Sequence, residues 1–192
     1  MLIPEFPLRT DRLDLRPFQP TDLAALHAYQ CREDVNRYLY SEPYDEAASR
    51  AAVERKMART ALRAEGDLLN PAVVLRATGE VIGDVLLGWT SAEHRQGEVG
   101  YVFHPDFNGH GYATEATSLM LQLGFEQLGL HRIVGRLDGR NTASARLLER
   151  LGMRREAHLR ENEFVKGEWT DEVVYALLES EWQATRTRPT VA

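Results

Sequence analysis

Two glycines near the middle of the chain could bind an anion. Gly109 and Gly111 lie between a strand-like run and a helix-like run, and residues without a side chain let the backbone approach a ligand closely. The first amides of a helix have no partner within it, so they attract phosphate groups. A plain strand-turn-helix connection explains the same glycine spacing, so both interpretations stay open at this point.

The elements around these glycines follow from the pattern of apolar residues. Residues 98–103 are rich in β-branched and aromatic side chains, and Pro105 then removes a backbone donor, which predicts a strand that ends there. From Ala113 to Leu128 the apolar residues recur at helical spacing, and a further strand is predicted at residues 132–137. A strand-helix-strand crossover makes its two strands parallel neighbours. The glycines should therefore lie at the carboxyl end of a strand, where open α/β sheets commonly bind ligands.

The rest of the chain completes a single-domain α/β fold. Strands are predicted at residues 13–18, 70–76, 81–89, 153–159 and 172–178, with a polar connection at 160–171 between the last two. Helices are predicted after a Thr21 cap, from Asp45 to Gly66 and from Asn141 to Gly152. We expect one domain over residues 1–184 and a flexible tail at residues 185–192.

The composition narrows the classes of function. The chain has 192 residues, 43% of them hydrophobic and 27% charged, which is typical of a soluble globular protein. Its net charge of -6 argues against nucleic acid or an anionic membrane as the main partner. The single cysteine excludes an internal disulfide, and the six histidines show no metal-ligand spacing, so we expect no metal. Since no signal peptide or membrane-spanning run is recognisable, we expect a cytoplasmic protein.

Four motifs follow one another along residues 8–182. They are the opening run Leu8-Arg9-Thr10-Asp11-Arg12-Leu13-Asp14-Leu15-Arg16-Pro17, the stretch Asn108-Gly109-His110-Gly111-Tyr112-Ala113 with Thr114-Glu115-Ala116, the run Asn141-Thr142-Ala143-Ser144 extended to Met153, and Lys166-Gly167-Glu168-Trp169-Thr170-Asp171. In this order they resemble the GNAT superfamily of acyl-CoA N-acyltransferases, and within it the branch of Rim-type ribosomal-protein N-terminal acetyltransferases. Two positions depart from the family pattern. Asn108 stands where the family prefers Arg or Gln, and Leu148 stands where many members carry a tyrosine that protonates the departing thiolate.

The resemblance implies a fold and a cofactor. It implies a mixed sheet of about seven strands, with a splayed parallel pair at its centre and helices on both faces. It also implies acetyl-CoA as the co-substrate, with the amides of Val102 and Phe103 holding the thioester carbonyl. Asn141 would contact the pantetheine arm, and Ser144 would lie near its sulfur. The residues implied for the phosphates are Asn108, Gly109, His110, Gly111, Tyr112, Ala113 and Thr114.

Acyl transfer to an amine needs a group that accepts the amine's proton and a group that stabilises the leaving thiolate. Glu98 is the candidate base, because it lies on the strand whose end meets the cofactor and burial would raise its pKa. Alternatively, Glu98 pairs with a basic neighbour. The Ser144 hydroxyl could donate to the thiolate, or Asn141 and Ser144 could only cap their helix.

The acceptor is expected on the other side of the splayed strands. Its candidate contacts are Tyr38, Tyr40, Trp89 and Glu161. Together with Glu163 and Asp171, Glu161 would make the rim acidic and favour a cationic amine, although a plain solvated loop would look the same.

The leading hypothesis is acetylation of a protein amino terminus. The alternatives are acetylation of a polyamine or aminoglycoside, and a non-catalytic regulator that binds CoA. A homodimer is compatible with exposed apolar strand edges near the carboxyl terminus.

Overall fold

The fold is built on a mixed sheet of nine strands, and the computed structural model describes residues 1–187. The strands are β1 (Leu8–Arg9), β2 (Leu13–Arg16), β3 (Leu68–Leu69), β4 (Ala72–Leu75), β5 (Val81–Ser91), β6 (Gln96–Phe103), β7 (Arg132–Asp138), β8 (Arg154–Val165) and β9 (Glu168–Leu178). The helices are α1 (Leu23–Gln30), α2 (Glu33–Asn36), α3 (Glu46–Met57), α4 (Tyr112–Gln122), α5 (Thr142–Arg150) and α6 (Glu179–Thr187). The strand order is β1-β2-β4-β5-β6-β7-β9-β8, and β3 pairs with β5. The two-residue strands β1 and β3 account for the difference from the seven strands expected.

The parallel pair β6 and β7 separates part of the way along its length. Only three pairs join the two strands, and the last joins Glu98 to Val134. Beyond that point β6 stays paired with β5 as far as Phe103, and β7 stays paired with β9 as far as Asp138. Each strand is thus held from its outer side while a gap opens between the two. The expected splayed pair is confirmed, and we call this gap the β6/β7 opening.

Helices cover both faces of the sheet, as expected. On one face the core contains Met120 and Leu121 of α4 and Leu147 of α5, packed with the strand residues Leu87 and Val99. On the opposite face a smaller cluster is formed by α1, α3 and β4. Its members include Leu26, Tyr29, Ala52, Val53 and Ala72, with Val102 packed against them. Since side chains alternate along a strand, the odd-numbered and even-numbered residues of β6 point to opposite faces of the sheet.

Two helix boundaries differ from the predicted ones. Helix α3 ends at Met57 rather than at Gly66, because the backbone of Leu62 exchanges two 2.8 Å hydrogen bonds with Leu2 instead of continuing the helix. Thr21 does not cap α1, since a 3-10 turn at Pro20–Asp22 leads directly into Leu23. The helical run expected from Ala113 to Leu128 is present, because α4 continues beyond Gln122 as a π-helical segment, Leu123–Leu128.

The polar connection predicted at residues 160–171 is wrong. Strands β8 and β9 run through this region as one long hairpin, with a tight turn at Lys166 and Gly167, where φ is 52° and 84°. Most side chains of β8 are exposed, so the strand lacks the apolar alternation by which a half-buried strand is recognised.

The flexible tail expected at residues 185–192 overlaps the last helix. Helix α6 includes residues 185–187, and the remaining residues of that tail, 188–192, lie outside the part of the chain that the structure describes. Among residues 1–187, no helix is both long and apolar enough to span a lipid bilayer.

Candidate active site

Three cavities meet around the β6/β7 opening. The glycine-loop cavity, of about 470 Å³, lies between the loop after β6 and the first turns of α5. The tyrosine cavity, also about 470 Å³, begins at the opening and extends beneath Tyr38, Tyr40 and Tyr44 towards α3. The Glu98 cavity, of about 140 Å³, lies beside it and shares Tyr38 and Tyr40 as part of its wall. The opening is therefore accessible from both faces of the sheet.

The glycine loop has the backbone conformation that a cradle for phosphate requires. Gly109 and Gly111 both have φ of +80°, which favours glycine, and Gly111 immediately precedes α4. Helix α4 therefore begins with amides to which its N-cap residue offers no side chain. Six of the seven residues expected at the phosphates line the glycine-loop cavity, namely Asn108, Gly109, Gly111, Tyr112, Ala113 and Thr114. The exception is His110, whose ring stacks on Tyr112 with 5.6 Å between ring centroids.

An arginine from the amino-terminal motif braces this loop. Arg12 donates from Nη1 to the His110 carbonyl at 2.9 Å and from Nε to Glu115 at 2.7 Å, and its guanidinium lies 4.6 Å from the centroid of the Tyr112 ring. Glu115 also accepts a 2.5 Å hydrogen bond from Thr10. Burial alone would raise the pKa of Glu115, but the hydrogen bonds from Thr10 and Arg12 outweigh burial and lower this pKa. The opening motif of the sequence is thus fastened to the first turn of α4.

A tyrosine hydroxyl stands where the glycine-loop and tyrosine cavities meet. The residues that line both are Tyr101, Asn141 and Ser144. The Tyr101 Oη lies 2.6 Å from Ser144 Oγ, and it donates to the Ser144 carbonyl at 3.2 Å. Burial raises the pKa of Tyr101 to about 12, so the phenol is neutral and able to donate. Sequence reasoning missed Tyr101, which lies on a strand and 43 positions from Ser144.

Asn141 caps α5, and Leu148 of the same helix packs into the core. The Asn141 side chain accepts a 3.0 Å hydrogen bond from the Ser144 amide, as its role as a cap requires. Leu148 is only 2% exposed and packs against Gly135 so closely that a β-carbon there would lie 2.8 Å from a Leu148 methyl. Leu148 is therefore a core residue, and the nearby hydroxyls belong to Tyr101 and Ser144.

The two amides expected to hold a carbonyl point in different directions. The His104 amide donates to Ile82 on β5 at 2.9 Å, and hydrogen-bonded and non-hydrogen-bonded pairs alternate along an antiparallel ladder. The Val102 amide therefore also faces β5, whereas the amides of Tyr101 and Phe103 face the opening. The Val102 amide therefore does not point into the opening, whereas the Phe103 amide has the expected orientation.

Glu98 occupies the last rung before the β6/β7 opening. Its side chain is 36% exposed, and its Oε2 lies 3.6 Å from Nε of Arg136. Burial raises the pKa of Glu98, the nearby Arg136 opposes this effect, and Glu172 adds to it. Arg136 makes its shorter contact, 2.8 Å, with Glu172. The basic neighbour proposed as an alternative is present, yet the net result is a carboxyl that protonates more readily than a free glutamate.

The residues expected to contact the acceptor are only partly brought together. Tyr38 and Tyr40 line the tyrosine and Glu98 cavities, and Tyr40 donates to Glu163 at 2.7 Å. Burial and then Glu163 raise the pKa of Tyr40. Trp89 lies outside all three cavities, near the far end of β5, where its indole donates to the Ser91 carbonyl at 3.2 Å. The structure therefore does not bring Trp89 to the cavities at the opening.

Of the three acidic residues expected at the rim, only Glu163 lines one of the cavities. Glu161 is exposed and lies outside the three cavities, because the chain bulges there with φ of 48°. Asp171 is likewise outside them and contacts His158 at 2.6 Å. Glu163 does line the Glu98 cavity, but the basic residues Arg37, Arg140 and Lys166 line it too. Among the described residues, side chains of His, Cys, Asp and Glu form no group of three that could hold a metal ion.

Comparisons with known proteins agree with this geometry. The family described as Acetyltransferase (GNAT) domain matches residues 12–154. The chain is 32% identical over 175 residues to the uncharacterized N-acetyltransferase YnaD of Bacillus subtilis, covering 91% of this chain and 98% of that protein. The crystal structure of a GNAT-family acetyltransferase from Bacillus anthracis superposes with a TM-score of 0.81 at 32% identity, covering 94% of this chain and 99% of the other. Spermidine N(1)-acetyltransferase of Escherichia coli is 25% identical over 175 residues, 91% of this chain and 90% of that enzyme.

Proposed function

The chain belongs to the GNAT family of acetyltransferases, and from this premise we propose that it transfers the acetyl group of acetyl-CoA to the amino group at a protein N-terminus. The observation that carries the proposal is the β6/β7 opening. It joins the glycine-loop cavity on one face to the tyrosine and Glu98 cavities on the other, and Tyr101, Asn141 and Ser144 line both the glycine-loop and the tyrosine cavity.

The residues of the glycine-loop cavity suit the pyrophosphate of acetyl-CoA. The pyrophosphate would be held by the amides between Gly109 and Thr114, which the left-handed glycines and the start of α4 turn towards the cavity. Arg150 lines the same cavity and supplies a positive charge. Asn108 remains in the wall, so its difference from the family pattern removes at most a side-chain contact. When bound, acetyl-CoA supplies an acyl group already activated as a thioester.

Glu98 and the Tyr101–Ser144 pair would share the proton chemistry. Glu98 lies on the same face of β6 as Gly100 and Val102, and this face borders the tyrosine and Glu98 cavities. The Glu98 carboxylate can therefore accept the proton of the incoming amine. Tyr101 and Val99 belong to the opposite face, which packs towards α4 and α5. From there the hydroxyls of Tyr101 and Ser144 can donate hydrogen bonds to the leaving thiolate, and the Phe103 amide can donate to the thioester carbonyl.

A protein N-terminus is favoured as the acceptor by the resemblance of four motifs to the Rim-type branch. A polyamine is the second candidate, because the E. coli relative that is 25% identical acts on spermidine. The presence of Glu98, Ser144 and Tyr101 around the opening argues against a regulator that only binds CoA.

A thiol-release assay tests the proposal. The purified protein is incubated with acetyl-CoA and with each of four acceptors: a peptide that starts with alanine, a peptide that starts with serine, spermidine and an aminoglycoside. Turnover confined to the peptides is expected. Turnover of spermidine alone would replace the leading acceptor, and the absence of thiol release with every amine would remove the enzymatic proposal.

A further inference from the structure

We propose that the acceptor is an acidic peptide, whose carboxylate binds to Arg55 and Arg59 while its amino terminus reaches the β6/β7 opening. This inference rests on the proposed function and deepens it. The tyrosine cavity extends from Ser144 at the opening to the last turn of α3 and the residues just after it, where Arg55 and Arg59 form part of the wall. A substrate that fills the cavity must therefore meet both ends.

The basic end of this cavity carries positive charge that the protein does not neutralise. Lys56 is satisfied, since its ammonium contacts Asp84 at 2.5 Å and Asn70 at 3.0 Å. In the part of the chain covered by the structure, the side chains of Arg55 and Arg59 have neither a hydrogen-bond nor an ion-pair partner. Two unpaired arginines in the wall of one cavity favour a carboxylate, with which arginine forms paired hydrogen bonds.

The one carboxylate in the wall of this cavity, among the described residues, cannot supply that partner. Asp84 is only 3% exposed, and besides Lys56 it accepts hydrogen bonds from Tyr29 at 2.8 Å and from Asn70 at 2.9 Å. These bonds fix its position on the floor of the cavity, next to Val102 on β6. Asp84 is thus paired within the protein, and Arg55 and Arg59 are available to bind a ligand.

A buried amide indicates a second contact with the ligand. Gln30 lines the tyrosine cavity and is only 4% exposed, and within the described residues its Oε1 has no hydrogen-bond partner. A buried acceptor without a donor costs free energy, so a ligand that brings an N–H group would relieve that cost. A peptide offers both backbone N–H groups and a side-chain carboxylate. Spermidine offers N–H groups, but it would place further positive charge beside Arg55 and Arg59.

The test is the ratio of kcat/KM for two matched peptides. One carries glutamate at positions two and three after an N-terminal serine, and the other carries glutamine there. The wild-type protein is expected to prefer the acidic peptide by about tenfold, the effect of one hydrogen bond to a charged group. The double variant R55Q/R59Q should bring the ratio close to one. The preference should also fall as the salt concentration rises.

Arg50→Gln provides the matched control. Arg50 lies on α3 like Arg55, but it pairs with Glu46 on the surface, 2.9 Å away. It should keep the wild-type preference. A wild-type ratio of one, or a preference that survives in R55Q/R59Q, would overturn the inference while leaving peptide acetylation intact. If no peptide releases thiol, the proposed function itself has failed, so the two failures are distinguishable.

Discussion

The hydroxyl groups of Tyr101 and Ser144 lie 2.6 Å apart, although one belongs to β6 and the other to α5, the helix that follows β7. Tyr101 projects from β6, and Ser144 projects from the first turn of α5. The position on α5 at which many family members have a tyrosine is occupied by Leu148, which is buried in the core. The chain thus presents two hydroxyls at the opening without using that position of the helix.

Replacing Tyr101 by phenylalanine should lower kcat with little change in the affinity for acetyl-CoA. The lost hydroxyl would remove one hydrogen bond to a charged leaving group, which corresponds to a decrease of about tenfold to hundredfold. Steady-state kinetics gives kcat, and a binding titration gives the dissociation constant. Ser144→Ala should have a similar effect. If the two hydroxyls act together, the double variant will be much less impaired than the product of the single effects predicts. Strictly multiplicative effects would show that they act separately.

Glu98→Gln should lower kcat by about a hundredfold or more, because glutamine cannot accept a proton from the amine. For the wild-type protein, kcat/KM should rise with pH as Glu98 loses its proton. Since burial raises the pKa of Glu98, this rise should lie at a higher pH than for an ordinary glutamate. The rise should be absent from the pH profile of the variant. An unchanged profile would assign the base to another group or to water.

The same substitution should not destabilise the fold at neutral pH. A carboxyl whose pKa is raised in the folded state contributes stability below its unfolded pKa, and that contribution is lost as the pH rises through the folded pKa. At neutral pH the ionised Glu98 therefore costs stability, and glutamine removes that cost. Thermal melting of the variant should give a Tm equal to or above that of the wild type. A clear decrease in Tm would mean that the pair with Arg136 outweighs burial.

The parts of the site that the sequence predicts are those with a local signature. Gly109 and Gly111 are recognisable because a turn into a helix at positive φ favours glycine. Glu98 is recognisable because a strand-helix-strand crossover determines which strands are neighbours. The separation of β6 and β7 was expected only from the family resemblance. The gap between the two strands becomes visible when each is seen to stay paired with its outer neighbour.

The rest depends on contacts that are distant in sequence. Tyr101 looks like an ordinary strand residue until the fold brings it to Ser144. Trp89 ends the strand predicted at residues 81–89, but only the pairing of Trp89 with Gly97 shows that this end lies where β6 and β7 are still joined. Arg12 meets Glu115 across 103 positions, and neither residue alone indicates that pair.

Arg12→Gln should weaken acetyl-CoA binding without large loss of stability. Arg12 does not line the glycine-loop cavity, but its bonds to His110 and Glu115 hold the loop in place, so its loss would add an ordering cost to binding. We expect the dissociation constant to rise by about tenfold and the free energy of unfolding to fall by less than about 1 kcal/mol, because Arg12 is exposed. Arg9→Gln is the control, since the pair of Arg9 with Asp14, at 3.5 Å, is also on the surface but away from the loop. Equal binding by both variants would show that the brace is only structural.

Gly111→Glu should abolish the stabilisation of the protein by acetyl-CoA. The new carboxylate would stand at the first amides of α4, where it would repel the pyrophosphate and compete for the same donors. For the wild type, ligand at about 100 times its dissociation constant should add about 2.7 kcal/mol and raise the Tm. Gly79→Glu is a matched control, because Gly79 has nearly the same φ, 77° against 80°, and lies in the turn between β4 and β5. Both variants should melt earlier than the wild type without ligand, from similar backbone strain. Only Gly79→Glu should still respond to acetyl-CoA, and an equal response from Gly111→Glu would show that the phosphates bind elsewhere.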